Sequence, residues 1–255
     1  MPTVRAALRP PLAAVAGGLS CVVLLSSCSG GDEATEDAAG SSSTAPAPTS
    51  SSATAEAEDD GGALGAGLLP DDAFGEQATV IPLSKEQLRR SAGLATEPES
   101  LEVSPESCRE VLSSTQPPID DYEDVAAQSA TVGATTTVEV LLEGEVTARA
   151  VETLVEGVER CPEARVGSPE LGEALLTFEN LDAPAVGDAA AAVRYTTTLT
   201  QGGQEVSVPA LVGLVQDGDR VVPLLTIATD GSSPDAAEFT SLLEQAFEVQ
   251  AEELG

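Results

Sequence analysis

The 255-residue chain contains no histidine and no tryptophan, and its four phenylalanines and two tyrosines make up only 2% of it. Without histidine there is no Ser-His-Asp triad, no Cys-His pair and no HExxH zinc site. Without tryptophan the usual stacking platform for sugars is missing. Cations are scarce as well: 11 Lys and Arg stand against 43 Asp and Glu, a net charge of −32. Lys85, the only lysine, sits in "PLSKEQL" with no motif around it that would support a Ser-Lys hydrolase. Paired carboxylates could serve a glycosidase, but among 43 acids a pair carries no information. No Gly-rich phosphate loop is present. The chain is therefore expected to be non-catalytic and to need no cofactor. A field of this sign repels nucleic-acid phosphates and anionic lipid headgroups, so neither is expected as a partner.

Long apolar runs are also few. The first, Leu12–Leu25, follows Arg5 and Arg9 with no twin-arginine pair. At roughly 14 residues it suits a signal-peptide core and is short for a membrane span. It ends in "LSSC", Leu25 to Cys28, and then turns abruptly polar. This resembles the lipobox of bacterial lipoproteins. The resemblance implies removal of residues 1–27, a diacylglycerol thioether on Cys28 and an acylated new amino terminus. Several acyl chains hold a protein to a membrane where one is marginal. An ordinary secretory signal with an incidental cysteine is the other reading, and Cys21 fits less well because Gly18 stands where leucine is wanted. The implied location is the cytoplasmic membrane, lipid-anchored and facing outside. Cleavage would remove two arginines and take the charge from −32 to −34.

Four cysteines then resolve simply. Cys21 leaves with the signal, Cys28 carries lipid, and Cys108 and Cys161 remain. A leftover pair in an exported chain is expected to oxidise. The bridge would close a loop of about 53 residues, a stabilisation of roughly 4 kcal/mol by loop entropy. Two free buried thiols or a metal site are the alternatives, although two cysteines without histidine make a poor zinc site.

Residues 28–66 read as an anchored linker. The stretch Ser29–Ala63, "SGGDEATEDAAGSSSTAPAPTSSSATAEAEDDGGA", has too little apolar bulk to offset the entropy of ordering. As a flexible coil it would span roughly 30–35 Å. Its Ser/Thr-Pro character makes it a candidate for O-glycosylation. Residues 67–255 form the expected domain. "ATVIPL" suits a short strand with Pro82 at an edge or end, and "KEQLRRSAG" one or two helical turns. In "SPESCREVLSS", Ser104 reads as an N-cap, Pro105 as the first helical residue and Cys108 as inward-facing. Strands are expected near Val125–Thr131 and Thr135–Leu142. In "EGEVTARAVETLVEGVERCPEARV", Val146, Ala150, Leu154, Val158 and Cys161 recur at helical spacing, with Pro162 as the stop.

Beyond "EALLTFENL" come three strands, among them the alternating "AVRYTTTLT", with Gly202-Gly203 as a hairpin signal. A two-residue loop at Asp217-Gly218 would put Pro223 at a hydrogen-bonded position opposite Val212, so a longer or bulged turn is expected there. Pro234 opens an amphipathic helix to about Glu252, with Phe239, Leu242, Leu243, Ala246, Phe247 and Val249 as its stripe. These elements predict an α+β fold: an antiparallel sheet covered by helices on one face.

"SPESCREVL", "ARAVETLVEGVERC" and "VGLVQDGDRVVPLLTIAT" before a C-terminal helix together resemble the PknH-like extracellular domains, exported sensor domains of actinobacterial lipoproteins and receptor kinases. The pattern spans most of Leu68–Glu252. It implies helices on an antiparallel sheet around a cleft for a small extracellular ligand. Two departures matter. That family often has two disulfides, and a tryptophan usually precedes its second cysteine where this chain reads "GVERC". No ligand residues are carried over. The cluster "IDDYED" (Asp120, Asp121, Glu123 and Asp124) lacks the glycine and spacing of a calcium loop. It reads as solvated, with Tyr122 pinning it to the sheet.

Three functions fit: a tethered module holding a small ligand, a lipid or glycolipid carrier, or an envelope interaction protein without a ligand. A cavity above roughly 1,000 Å³ would favour the carrier, a smaller polar-lined cleft the ligand module, and a filled core the interaction protein.

Overall fold

The computed structural model describes residues 62–94, 102–114, 118–168, 172–201 and 204–255. The signal segment, Cys28, the linker up to residue 61 and the Gly202-Gly203 loop lie outside the described residues. Among the described residues nine strands and four α-helices are joined by short connections: β1 (Thr79–Pro82), α1 (Lys85–Leu94), β2 (Glu102–Ser104), α2 (Ser107–Ser114), β3 (Asp124–Val132), β4 (Thr135–Glu143), α3 (Ala150–Arg160), β5 (Glu163–Ser168), β6 (Gly172–Leu181), β7 (Ala189–Gln201), β8 (Gln204–Asp217), β9 (Arg220–Ala228) and α4 (Ala236–Leu254). The strands make one antiparallel sheet in the order β1-β3-β4-β9-β8-β7-β6-β5-β2. The α+β class is as the sequence predicts.

The placement of the helices differs from the expectation of one covered face. Side chains of a strand alternate between faces, and those of β8 meet two different covers. Leu211 and Val215 pack with Phe239 and Leu243 of α4, whereas Leu214 packs on the other side with Ala150 of α3 and Leu88 of α1. The cause is legible in "VPALVGLV" and "RVVPLLTIA": central strands with no polar alternation have two faces to bury. α2 joins α1 and α3 on the second face, where Cys108 and Cys161 are buried with Val111 and Ala164. Phe178 and Tyr195 lie on that face too, ring centroids 6.3 Å apart.

The seat of α4 depends on a glycine. A Cβ on Gly213 would lie 2.6 Å from Leu243 Cδ2 and 3.1 Å from the Phe239 ring. Gly213→Ala is expected to lower unfolding stability by about 2 kcal/mol through overpacking. Urea denaturation would read it, and wild-type stability would show that α4 does not press on β8 there.

Several local expectations shift. Gly62–Gly67, assigned from sequence mainly to the linker, is a 3₁₀ turn in which Leu64 is buried with Leu141, Val222 and Ala246. Ser104 does not cap α2; its backbone pairs with Arg165 at the sheet edge, and the helix starts at Ser107. The long helix is split, with Glu145–Arg149 a 3₁₀ turn before α3. Buried Thr147 is the reason: its hydroxyl lies 2.8 Å from the carbonyl oxygens of both Gly144 and Asp219, tying that turn to the β8–β9 hairpin.

That hairpin is tight rather than long. Asp217 pairs with Arg220 around Gly218-Asp219, one residue later than the register considered above, and Pro223 falls opposite Leu214. In this register Pro223 sits at a non-hydrogen-bonded position with respect to β8, so its missing N–H is turned toward β4. There the ladder skips from Leu142↔Val221 to Glu139↔Leu224. α4 starts at Ala236 behind Asp235, whose carboxylate accepts from the Ala237 and Glu238 N–H groups (2.8 and 2.9 Å). No helix among the described residues is long and apolar enough to cross a membrane.

Candidate functional site

On the α4 face the cover is incomplete. The chain enters at Gly62, crosses this face and turns at Asp71–Phe74. Between that turn and the first turns of α4 lies an open groove of about 780 Å³. Its floor is the far ends of β3, β4 and β9, with Ala130, Val132, Thr135, Thr137 and Thr226. Phe74 stands on one wall; Phe239 and Leu242 stand on the other, with Ser232 and Ser233 at its lip. Thr137 and Thr226 are cross-strand partners, each 8% exposed, with their hydroxyl oxygens 2.9 Å apart. Among the described residues no lysine or arginine lines the groove; its charged groups are Asp235 and Glu238.

Two residues along β4 from Thr137 is Glu139, with no exposed surface. The Leu69 N–H donates to its two carboxylate oxygens (3.2 and 3.1 Å). Gln128 Nε2 donates to Glu139 Oε2 at 2.7 Å and to the Leu69 carbonyl oxygen at 2.8 Å. Glu139 thus buckles the entering chain to the sheet just before that chain forms the groove wall. Burial pushes the carboxyl up to about 7, against the opposing pull of the Gln128 amide and the Leu69 N–H.

The fold is similar to that of the PknH extracellular domain. That domain, from Mycobacterium tuberculosis, shares 11% identity, with 74% of this chain and 93% of that one covered and a TM-score of 0.47. An uncharacterized protein from Mycobacterium smegmatis shares 14% identity over 70% and 91% of the two chains, TM-score 0.43. LpqN of Mycobacterium tuberculosis, involved in cell envelope biogenesis, shares 16% over 72% and 94%, TM-score 0.22. No family model and no curated protein matches the chain.

Of the residues singled out by sequence, Cys28 is outside the described residues. Cys108 and Cys161 form a disulfide, Cα atoms 5.5 Å apart, on the face away from the groove. Beside it is a crevice of about 50 Å³. Lys85 Nζ lies 3.4 Å from the Tyr122 carbonyl oxygen. In "IDDYED", Asp120 is ion-paired with Arg89, whose guanidinium holds the carboxyl below its usual range. Tyr122 packs with Val125, Leu142 and Val221, as a loop-pinning residue should. Among the described residues no three His, Cys, Asp or Glu converge as a metal site.

Sequence reading implied a cleft only through the family resemblance and missed its lining residues and Glu139. The groove's threonines look like ordinary strand residues until β4 and β9 are paired. Glu139 did carry a signal: it interrupts the apolar run "VEVLL", and the β3–β4 register places Gln128 opposite it.

Proposed function

We propose that this chain is a non-catalytic binding module, lipid-anchored through Cys28 to the outer face of the cytoplasmic membrane, that holds a small ligand in the α4-face groove. The observation that carries this reading is the groove itself, with the hydroxyls of Thr137 and Thr226 on its floor and Phe74 and Leu242 on its walls. The volume of about 780 Å³ also falls short of a large lipid cavity and within the range of small-ligand sites.

Native mass spectrometry of the protein drawn from its own membrane in mild detergent tests both halves. The expected mass lacks residues 1–27, gains diacylglycerol and acyl groups on Cys28, and includes a releasable small adduct. Cys28→Ser is expected to abolish the lipid increment. An unmodified chain retaining Met1 would overturn the anchor. Bare protein after incubation with several envelope extracts would overturn the ligand module and leave the interaction protein as the better account.

A further inference from the structure

The groove's chemistry, taken as a ligand site in the sense proposed above, restricts what it can accept. Each threonine hydroxyl has one O–H to donate. The Thr137–Thr226 contact uses one of the two, and neither hydroxyl has another partner among the described residues. One O–H, on a threonine more than nine-tenths buried, is left to donate into the groove. A ligand oxygen placed there accepts that bond in place of water. The ligand's charge is limited from two directions. Among the described residues no cation lines the groove to neutralise an anion, and the chain as a whole carries −32. Of the two carboxylates, Asp235 is already committed to the α4 cap. The remaining walls are apolar at Phe74, Phe239 and Leu242.

We propose that the groove binds an uncharged, hydroxyl-bearing amphiphile, which places an oxygen of its sugar- or polyol-type head on the Thr137–Thr226 pair and a short apolar segment against the half-covered Phe74 and Leu242. The oxygen accepts the spare O–H, and the apolar segment replaces water over those two side chains. Phosphate, sulfate and carboxylate heads are rejected, because their charge would be desolvated beside Glu238 with nothing opposite in sign.

The test uses amphiphiles of one chain length below their micelle concentration: octyl glucoside, octyl sulfate and octyl trimethylammonium, with glucose as the chainless control. Binding to the full chain is followed by the amide chemical shifts of the groove residues. Octyl glucoside is expected to move the Thr137, Thr226, Phe74 and Leu242 amides saturably, and octyl sulfate is not. Thr137→Val with Thr226→Val keeps the shape and removes both hydroxyls, and it is expected to weaken octyl glucoside about tenfold. Glucose binding as tightly as octyl glucoside would overturn the amphiphile in favour of a free sugar. Octyl sulfate or the trimethylammonium compound binding equally well would overturn the charge selection. Unchanged affinity in the double valine variant would overturn the hydroxyl contact. In those three results the groove still binds, so the ligand module survives while its ligand class does not. Silence of the groove amides toward every probe, together with no adduct from envelope extracts, overturns both.

Discussion

Replacing Glu139 by glutamine is expected to remove a loss of stability that the wild-type protein suffers between about pH 4.5 and pH 7. The carboxyl has an ordinary value near 4.5 in the unfolded chain and is raised to about 7 when buried. Below 4.5 both states hold the proton and ionisation costs nothing. Between the two values the folded state retains a proton that the unfolded state has released, so stability falls as pH rises. Above about 7 the whole cost is present, on the order of 3 kcal/mol at 1.36 kcal/mol per unit. Glutamine keeps an oxygen for the Leu69 N–H and the Gln128 amide without the charge. Urea unfolding of both proteins at pH 5 and pH 8 reads the effect as a difference of slopes. The general repulsion among 43 acids also grows with pH, but it is common to both proteins and cancels. Parallel pH profiles would sink the assignment of a raised carboxyl to Glu139.

The same substitution bears on the groove. Glu139 holds Leu69, four residues before Ala73 on the groove wall, and Leu69 and Leu64 are buried in one cluster with Leu141 and Ala246 of α4. The wall is therefore fixed by apolar burial along most of the entering chain and by a carboxylate at one point. Glu139→Gln is expected to leave the wall in place. Glu139→Leu, which strands the Leu69 N–H and one of the two N–H groups of the Gln128 amide, is expected to loosen it at a cost of about 2 kcal/mol. Amide exchange at Leu69 that is slow in wild type and Glu139→Gln and fast in Glu139→Leu would bear this out. Equal exchange in all three would show that apolar packing alone holds the strap.

What sequence could and could not reveal follows from how far each feature depends on partners distant in the chain. The alternation in "AVRYTTTLT", the helical stripe before Cys161 and the stripe of α4 are local patterns, and all three elements form. β2 and β5 have no such pattern: "EVS" and "EARVGS" are strands because their backbones find partners, Val103 with Val166 and Arg165 with Leu175. The split of the long helix likewise comes from a contact with Asp219, 72 residues away from Thr147. Two-sided burial was written in the apolar runs of β8 and β9, yet it was readable only by asking what covers each face. The groove is the least legible feature of all. It is a space left between the Phe74 turn, three strand ends and α4, and no residue in it is unusual for its element.

The disulfide was legible by counting, and its removal should have the largest effect on stability. Cys108 and Cys161 are 53 residues apart and buried at 0% and 2% exposure. Constraining a loop of that length in the unfolded chain is worth roughly 4 kcal/mol. The bridge also has a particular local job. α2 is eight residues long, too short to be stable alone. It follows β2, a three-residue strand at the outermost position of the sheet, and the bridge bolts it to the end of α3. The paired variant Cys108→Ala, Cys161→Ala avoids leaving one free thiol or placing a hydroxyl in an apolar site. It is expected to unfold in urea with a loss of roughly 4 kcal/mol and to retain the sheet. Amide exchange should accelerate first over residues 102–114, while β4, β8 and β9 keep their protection. A loss below about 1 kcal/mol would mean that Val111 and Leu112 already hold α2 in place and that the bridge adds little. Collapse of protection across the whole sheet would mean instead that the edge and the centre unfold as one unit, with the disulfide guarding both.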